Sequence, residues 1–566
     1  MLNLLNDIFL PIEELERIKD LFSFYRILGF IAIGFINAIL MIAISYKFFQ
    51  ALQQSGYNGS EYRKWLHRKS NAHRTRLTML SMLSILGFLL VNMAVSFIDH
   101  VLVKYAGFLV YIVFLAIYFT GLKKKKEKLP LVLTKRMIRL FVSFALLTII
   151  VSLILIFGVN LIAIPFKSNL LAQFRYAILC LSPILVPYLV LFAYELNRPI
   201  EKVINEKFVT KAKEKLKEHK NLIKIAITGS YGKTTVKNIL NTILSQKYNV
   251  LITPESYNTP MGLVKTIKRL NENHEVFIAE MGAKRVGDIK YLSNIFEQNI
   301  AVVTGITSQH LETFFTLDNI IKTKGEIIEN FSGDAFFSAD SDYTYKMFKD
   351  AKCNKYLAGA KNKNESMVYA ENVISNEAGT SFTLVYGNEK VEVSTKLLGK
   401  HNVENIVLAS AVALKLNVSL QEIAIALSSL EQIPHRLQLT KNDKGVYIID
   451  DGYNSNIEGF KNAVETLNGF NANKKIIVTP GIVELGLAGP GHNFKLGELL
   501  STVCDIVILV GRGETLYIRE GLISKGYDLD KIYMAKDLED AKAKLSEVLA
   551  SGDVVLFEND LPDLLS

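Results

Sequence analysis

Residues 225–240 read IAITGSYGKTTVKNIL, and side chains of these types in this order hold phosphate. An apolar run stops at Thr228 and Gly229, a turn follows through Gly232, and Lys233, Thr234 and Thr235 open a helical pattern. Backbone N–H groups in such a turn, backed by the positive end of a helix dipole, favour an anion. Lys233 adds a point charge for the outer phosphates, and the Thr234 hydroxyl is suited to Mg²⁺. The general phosphate-loop pattern asks for a glycine where this chain has Ile227. On these residues alone, a nucleotide site and a plain strand-to-helix turn with an exposed lysine both stay open.

The elements that would position this loop begin after residue 200. Short apolar stretches at Ile223–Thr228, Val276–Ala279 and Ile300–Val303 read as strands, with helical stretches between them. That alternation predicts βαβ units on a parallel sheet. A second series follows Pro434, with strands expected at Val446–Ile449, Lys475–Val478, Ile506–Val510 and Val554–Phe557. A β-rich patch near Phe382–Ser394 and a helix from about Asn402 lie between the two. The boundary is expected at Ile433–His435.

The first third is different in kind. Of the 566 residues, 50% are apolar, and five long apolar runs crowd the N-terminal part: Leu21–Phe49, Leu77–Phe97, Ala106–Leu122, Leu140–Ile164 and Ala172–Tyr194. Each approaches the roughly 18–20 residues that cross a hydrocarbon core as a helix. Few polar residues interrupt them, among them Asn37, Asn92, Ser96, Ser143 and Ser182. The net charge of +10 divides as +13 over residues 1–200 and −3 over the rest. Basic residues concentrate in the first loop, from Arg63 to Arg76, and the third, from Lys123 to Arg139. By the positive-inside rule those loops are cytoplasmic, the N-terminus is outside, and everything after the fifth run is inside. Basic residues placed there meet anionic lipid, so no nucleic-acid partner is expected. Cys180, Cys353 and Cys504 have no paired spacing, which excludes a disulfide framework or a cysteine zinc site.

The stretch TGSYGKTT resembles the phosphate loop of the Mur ligase family, and further segments resemble that family in the same order. AEMGAKRVGDIKYL is similar to the segment that brings a metal-binding glutamate, here Glu280. GITSQHLETF matches the one that brings a metal-binding histidine, here His310. NIIKTKGEIIEN resembles the stretch with the family's carbamylated lysine, which falls on Lys324. LLGKHNVENIVLA looks like the adenine-contacting segment, with Asn402 as base reader. PHRLQ places Arg436 where the family brings an arginine toward ATP, and IIDDGYNSN puts Asp451 at the ribose. MGA, HLE, KGEI and DDGYNSN are most similar to the members that add D-alanyl-D-alanine to the cell-wall precursor.

The apolar runs predict a membrane domain of five helices over 1–200, and the resemblance implies a phosphate-loop ATPase domain over 201–433 and a Rossmann-like domain over 434–566. It implies ATP and Mg²⁺ as cofactors, and an amide bond made through an acyl phosphate. Lys233, Lys324 and His310 would be catalytic, with Thr234, Glu280 and His310 on the metal. The partners implied are a peptidoglycan precursor, UDP-linked or lipid-linked, and an amino acid or dipeptide, at the cytoplasmic face of the cell membrane. Two departures stand out. Apolar runs replace the family's uridine-binding domain, and LFENDLPDLLS stands where a KGSR-like segment is usual. VTPGIVELGLAGPGHNFKLGELL keeps the family's ELG, and its Gly-rich loop with His492 either lines an amine-acceptor pocket or turns the chain. Other readings are a poly-γ-glutamate or peptidoglycan-amidating ligase, a nucleotide-driven transporter and a decayed scaffold. A transporter leaves HNVEN and DDGYNSN unexplained, and a decayed scaffold should have lost Lys233, Glu280 or His310.

Overall fold

The computed structural model describes residues 23–68, 71–95, 107–120, 130–162, 175–255, 257–309, 311–359, 363–453, 456–483, 485–511 and 513–559. It divides into two compact units between Ile204 and Asn205.

The first unit is helical: α1 (Phe24–Ile44), α2 (Tyr46–Gln54), α3 (Gly59–His67), α4 (Ala72–Val95), α5 (Gly107–Thr120), α6 (Lys135–Ile162) and the start of α7 (Ser182–Glu218). Among the described residues four helices are long and apolar enough to cross a membrane, three within α1, α4 and α6 and the fourth over Ala177–Glu218, which contains α7. The run Ala106–Leu122 was expected to be a fifth. Its helix α5 has 14 residues, about 21 Å at 1.5 Å per residue, against a core of about 30 Å. Among the described residues the length criterion is therefore met by four helices, and both ends of the run Ala106–Leu122 lie outside those residues. The first run also ends early, at Ile44, where Ser45 bonds back to the Ile42 carbonyl at 2.6 Å and the chain restarts as α2. Buried polar groups join the helices. Asn37 Nδ2 donates to Ser152 Oγ and Ser182 Oγ donates to Asn37 Oδ1, each at 2.9 Å. Buried Glu201 accepts from Arg139 Nε at 2.6 Å.

The second unit is α/β. Among the described residues, its strands form two sheets, one ordered β2-β3-β1-β4-β5-β6-β7-β8-β9 and the other β10-β11-β15-β12-β13-β14. In the first sheet, β1 (Ile223–Thr228), β2 (Val250–Ile252), β3 (Val276–Glu280), β4 (Ile300–Val303), β5 (Asp334–Ser338) and β6 (Asn354–Ala358) run parallel. The strands β7 (Val368–Asn376), β8 (Gly379–Tyr386) and β9 (Glu389–Thr395) extend it as an antiparallel meander. Its helices are α8 (Lys233–Leu244), α9 (Pro260–Ile267), α10 (Asp288–Phe296), α11 (Leu311–Phe314), α12 (Leu317–Gly325), α13 (Asp342–Asp350), α14 (Lys400–Lys415) and α15 (Leu420–Ser428). Along β1, Ile225 and Ile227 join one apolar core while Ala226 joins the other. That is the period-two alternation of a strand covered on both faces. The order 2-3-1-4-5 reverses direction at β1, so a crevice opens at its carboxyl end, where ligands of such sheets bind. The phosphate loop sits there.

The second sheet contains β10 (Gln438–Lys441), β11 (Tyr447–Asp451), β12 (Lys475–Thr479), β13 (Ile506–Val510), β14 (Ile532–Ala535) and β15 (Val554–Glu558). All but β10 pair in parallel. Its helices are α16 (Ile457–Asn468), α17 (Gly489–Leu500), α18 (Thr515–Ser524) and α19 (Leu538–Val548). The expected strands of both series are present. Where α17 and α18 cross, glycines let the backbones touch. A Cβ on Gly521 would lie 2.0 Å from the Phe494 carbonyl oxygen, and one on Gly497 2.1 Å from that of Ile518. Backbone cannot yield as a side-chain tip can, so Gly521→Ala is expected to cost about 1–3 kcal/mol by overpacking, read as a lower urea midpoint of the full-length protein.

Candidate active site

The phosphate loop is built by the backbone. Gly229 has φ 155° and Gly232 has φ 79°. A Cβ at Gly229 would fall 2.0 Å from Thr304 Oγ1, and one at Gly232 2.5 Å from Asn405 Oδ1. Only glycine fits so close an approach. The segment after β4 clamps the loop: Ser230 N donates to the Gly305 carbonyl at 2.6 Å, and Thr304 Oγ1 donates to the Tyr231 carbonyl. Thr228 is buried, its hydroxyl donating to the Met281 carbonyl at 3.1 Å, and Thr235 is buried in α8. Lys233 Nζ folds back onto the Gly229 carbonyl at 2.8 Å and the Ser230 carbonyl at 3.4 Å. Burial holds its ammonium below the usual lysine range, opposed by Glu280 and reinforced by Arg436.

Glu280 ends β3 beside this loop, with its side chain 1% exposed. Its Oε2 accepts from Thr234 Oγ1 at 2.9 Å and from Lys237 Nζ at 3.3 Å, and its Oε1 accepts from Asn258 Nδ2 at 3.0 Å. Burial works against the charge, but Lys233, Lys237, Asn258 and Thr234 outweigh it and hold the carboxyl below its ordinary range. Glu280 is therefore an anion at neutral pH. Two hard oxygens side by side, on a carboxylate and on a hydroxyl next to a phosphate loop, fit Mg²⁺. This ion takes few protein ligands and completes its shell with phosphate and water. Among the described residues no three His, Cys, Asp or Glu side chains gather into a metal cluster. His310 lies outside the described residues.

Lys324, on α12, is 4% exposed, and its side chain makes no hydrogen bond or ion pair among the described residues. Burial, and then the Lys233 charge, push its amine well below the usual range, against the opposite pull of Asp288, Glu280 and Glu326. Glu326 is occupied elsewhere, accepting from the Gly287 and Lys290 amides at 2.7 and 2.9 Å where α10 starts. Lys324 is thus an amine with a low proton affinity within electrostatic reach of Lys233 and Glu280.

The second domain supplies Arg436 and Asp451. Arg436 sits between His435 (φ 57°) and Leu437 (φ 49°), left-handed conformations that side chains of this size adopt rarely. Its guanidinium lies over the Tyr453 ring, 4.5 Å from the centroid. Asp451 Oδ1 accepts from the Leu437 amide at 3.2 Å. Burial raises the Asp451 carboxyl, against Arg436, a hydrogen bond with Glu558 and the Leu437 amide. Asn402 is buried and turned inward, its amide donating to the Leu398 carbonyl at 2.7 Å and accepting from Asn405 at 3.3 Å. Lys233, Thr234, Glu280, Lys324 and Arg436 are therefore brought together, Asp451 stands beside Arg436, and Asn402 is engaged within its own helix start.

Four residues of the site were missed from sequence: Lys237, Asn258, Thr304 and Asn405. Lys237 lies one turn past Lys233 on α8, the spacing that puts two side chains on one helix face. That was its only signal. Its side chain is 1% exposed, and it also donates to the Glu255 carbonyl.

Two family models match this unit: the Mur ligase middle domain over residues 227–413, and the Mur ligase glutamate ligase domain over 435–558. The chain belongs to the Mur ligases. Within the family it is similar to proteins named UDP-N-acetylmuramoyl-tripeptide–D-alanyl-D-alanine ligase. One, from Buchnera aphidicola, is 33% identical over 273 residues, which is 48% of this chain and 59% of the relative. Another, from Bacillus subtilis, is 30% identical over 340 residues, covering 59% of this chain and 72% of the relative. The MurF ligase of Thermotoga maritima, solved in complex with ADP, superposes with a TM-score of 0.56 at 28% identity, over 63% of this chain and 80% of that one. The chain spans less than two thirds of the Buchnera relative, and the matched family domains leave residues 1–226 unaccounted for.

Lys237→Met would leave Glu280 buried and short of its closest cation. Breaking one side of a buried pair costs about 3–5 kcal/mol. Urea denaturation of the full-length protein should show that loss, and an unchanged midpoint would mean that Lys237 is not what stabilises Glu280.

Proposed function

We propose that this chain is an ATP-dependent ligase that adds D-alanyl-D-alanine to a UDP-N-acetylmuramoyl-tripeptide-type peptidoglycan precursor at the cytoplasmic face of the membrane. The observation that carries the reading is the shared electrostatic environment of Lys233, Glu280 and Lys324 at the carboxyl ends of β1 and β3. In the reaction, a precursor carboxylate attacks the γ-phosphorus of ATP and ADP leaves. The amine then attacks the acyl phosphate, losing a proton, and inorganic phosphate leaves with the C–O bonding pair. The first step brings two anions together, so positive charge at the transferred phosphoryl oxygens decides its rate. Lys233 supplies that charge once it releases the Gly229 and Ser230 carbonyls. Thr234, Glu280 and His310 would hold Mg²⁺, which offsets the repulsion as a Lewis acid. Asn402, Arg436 and Asp451 act on the nucleotide when the second domain closes.

Lys324 is assigned a carbamate. A neutral buried amine attacks CO₂ and loses a proton, giving an anion among the cations of the site. The low proton affinity of Lys324 and its lack of a partner support this assignment. Depleting CO₂ and bicarbonate should lower turnover and added bicarbonate should restore it. Turnover indifferent to both would leave Lys324 an ordinary amine.

Four long apolar helices among the described residues support a multi-pass membrane protein; with the run Ala106–Leu122 as a fifth crossing, the basic loops Arg63–Arg76 and Lys123–Arg139 favour an N-terminus outside and ligase domains inside. The choice between a UDP-linked and a lipid-linked acceptor is made by one experiment. Detergent-solubilised protein is given ATP, Mg²⁺, D-alanyl-D-alanine and either acceptor, and phosphate release is followed. Turnover with the UDP-linked tripeptide is expected, and Lys233→Ala should lower it by roughly 10²–10³-fold. Turnover with the lipid-linked acceptor alone would assign the membrane unit to the substrate site. Silence with both, in protein that still binds ATP, would sink the wall-precursor reading.

A further inference from the structure

The segment LFENDLPDLLS, which departs from the family pattern, begins inside β15 and brings Glu558 to the end of that strand. In the parallel pairing of β11 with β15, Glu558 is the register partner of Asp451. Glu558 is buried, and the two carboxyl groups are hydrogen-bonded to one another. The backbone around them is fixed. Asn559, in the left-handed region at φ 64°, donates its amide N–H to the Asp451 carbonyl at 3.1 Å and its side chain to the Gly481 carbonyl at 2.7 Å.

A carboxylate oxygen accepts hydrogen bonds and cannot donate one, so this contact requires a proton on the pair. Without it, two buried anions would stand side by side. The surroundings decide where the proton rests. Arg436 acts on Asp451, and the Leu437 amide donates to it at 3.2 Å. Asp450, the next charge along β11, is bonded to His435 at 2.8 Å. On α16, which packs against β15, Glu458 and Lys461 pair with each other at 3.0 Å. The end of β12 brings the uncharged Thr479 and Gly481. The cation and the amide beside Asp451 thus draw the negative charge there and leave the proton on Glu558. Burial raises the Asp451 carboxyl, and in a pair that shares one proton the upper titration step belongs to both groups.

We propose that Glu558 is a positioning residue for the nucleotide: as the neutral acid it donates to Asp451 and holds that carboxylate ready to accept the ribose hydroxyls. This assignment rests on the ligase reading, which puts Asp451 at the ribose. Nucleotide affinity is then present while the pair keeps one proton. It is lost as pH rises through the pair's upper step, above the ordinary carboxylate range, when repulsion turns Asp451 out of place.

Binding of ADP with Mg²⁺ to detergent-solubilised full-length protein, followed by calorimetry against pH, tests this without turnover. Wild-type affinity should fall on the alkaline side by up to about tenfold per pH unit, as the loss of one proton requires. Glu558→Gln donates an N–H at every pH and has no proton to lose, so its alkaline limb should be flat. Groups that titrate elsewhere contribute alike to both proteins. Glu558→Ala removes the donor and should weaken ADP roughly tenfold. It should leave 2′,3′-dideoxy-ADP unchanged, because that nucleotide has no ribose hydroxyl to offer Asp451. If the alanine variant does not fold, the glutamine profile still decides. Coincident pH profiles for wild type and Glu558→Gln, or equal losses for ADP and its dideoxy analogue, would overturn the role of Glu558 and leave the ligase reading standing. ADP that binds neither protein at any pH would overturn both.

Discussion

A single buried carboxylate organises this site. Glu280 ends a strand whose neighbours are buried on both faces, so water cannot solvate its charge. The protein replaces water with Lys237, Asn258, Thr234 and the nearby Lys233. An ionised group taken out of water costs several kcal/mol unless it is paired and hydrogen-bonded. This requirement fixes the rotamer of Thr234, the burial of Lys237 and the course of the segment bearing Asn258. The phosphate loop inherits its geometry from the same place, because α8 carries both Lys237 and the loop lysine. Thr234 and Glu280 are thus held in position by charge balance within the chain.

How much of this was legible in the sequence follows from how local each signal is. The phosphate loop could be read because glycine, lysine and threonine occupy consecutive positions, and the strands because β-branched runs are short and sharply bounded. The resemblance to Mur ligases extended that reading to Glu280, Lys324, Arg436 and Asp451. Lys237 escaped because a lysine on an amphipathic helix looks like a solvated one until the opposing strand is in place. Thr304 and Asn405 escaped for a similar reason. They touch the loop from 70 or more residues away, and nothing in their own neighbourhoods marks the contact. Asn402 shows the converse. Its position in the segment is as expected, yet its amide is turned into its own helix start.

The helical unit was legible in outline: hydropathy marked the runs, and four of them are long apolar helices among the described residues, while the run Ala106–Leu122 is described only over Gly107–Thr120. Sequence also does not reveal which polar residues of the apolar helices meet. Asn37, Ser152 and Ser182 come from three separate helices, and their hydrogen bonds tie those helices together. The charge division between the two parts of the chain, by contrast, is plain in the sequence: +13 over residues 1–200 and −3 over the rest.

The folded-back lysine of the phosphate loop bears on what the site ignores. With Lys233 already bonded to the Gly229 and Ser230 carbonyls, an anion must replace those contacts before it gains anything. A nucleotide has a base and a ribose with which to make further contacts beyond the loop. Free orthophosphate, a product of the reaction and a solute of every cytoplasm, has only the loop to hold. The resting loop is thus already occupied by its own lysine, and what a small anion gains there is reduced by the two contacts it must displace.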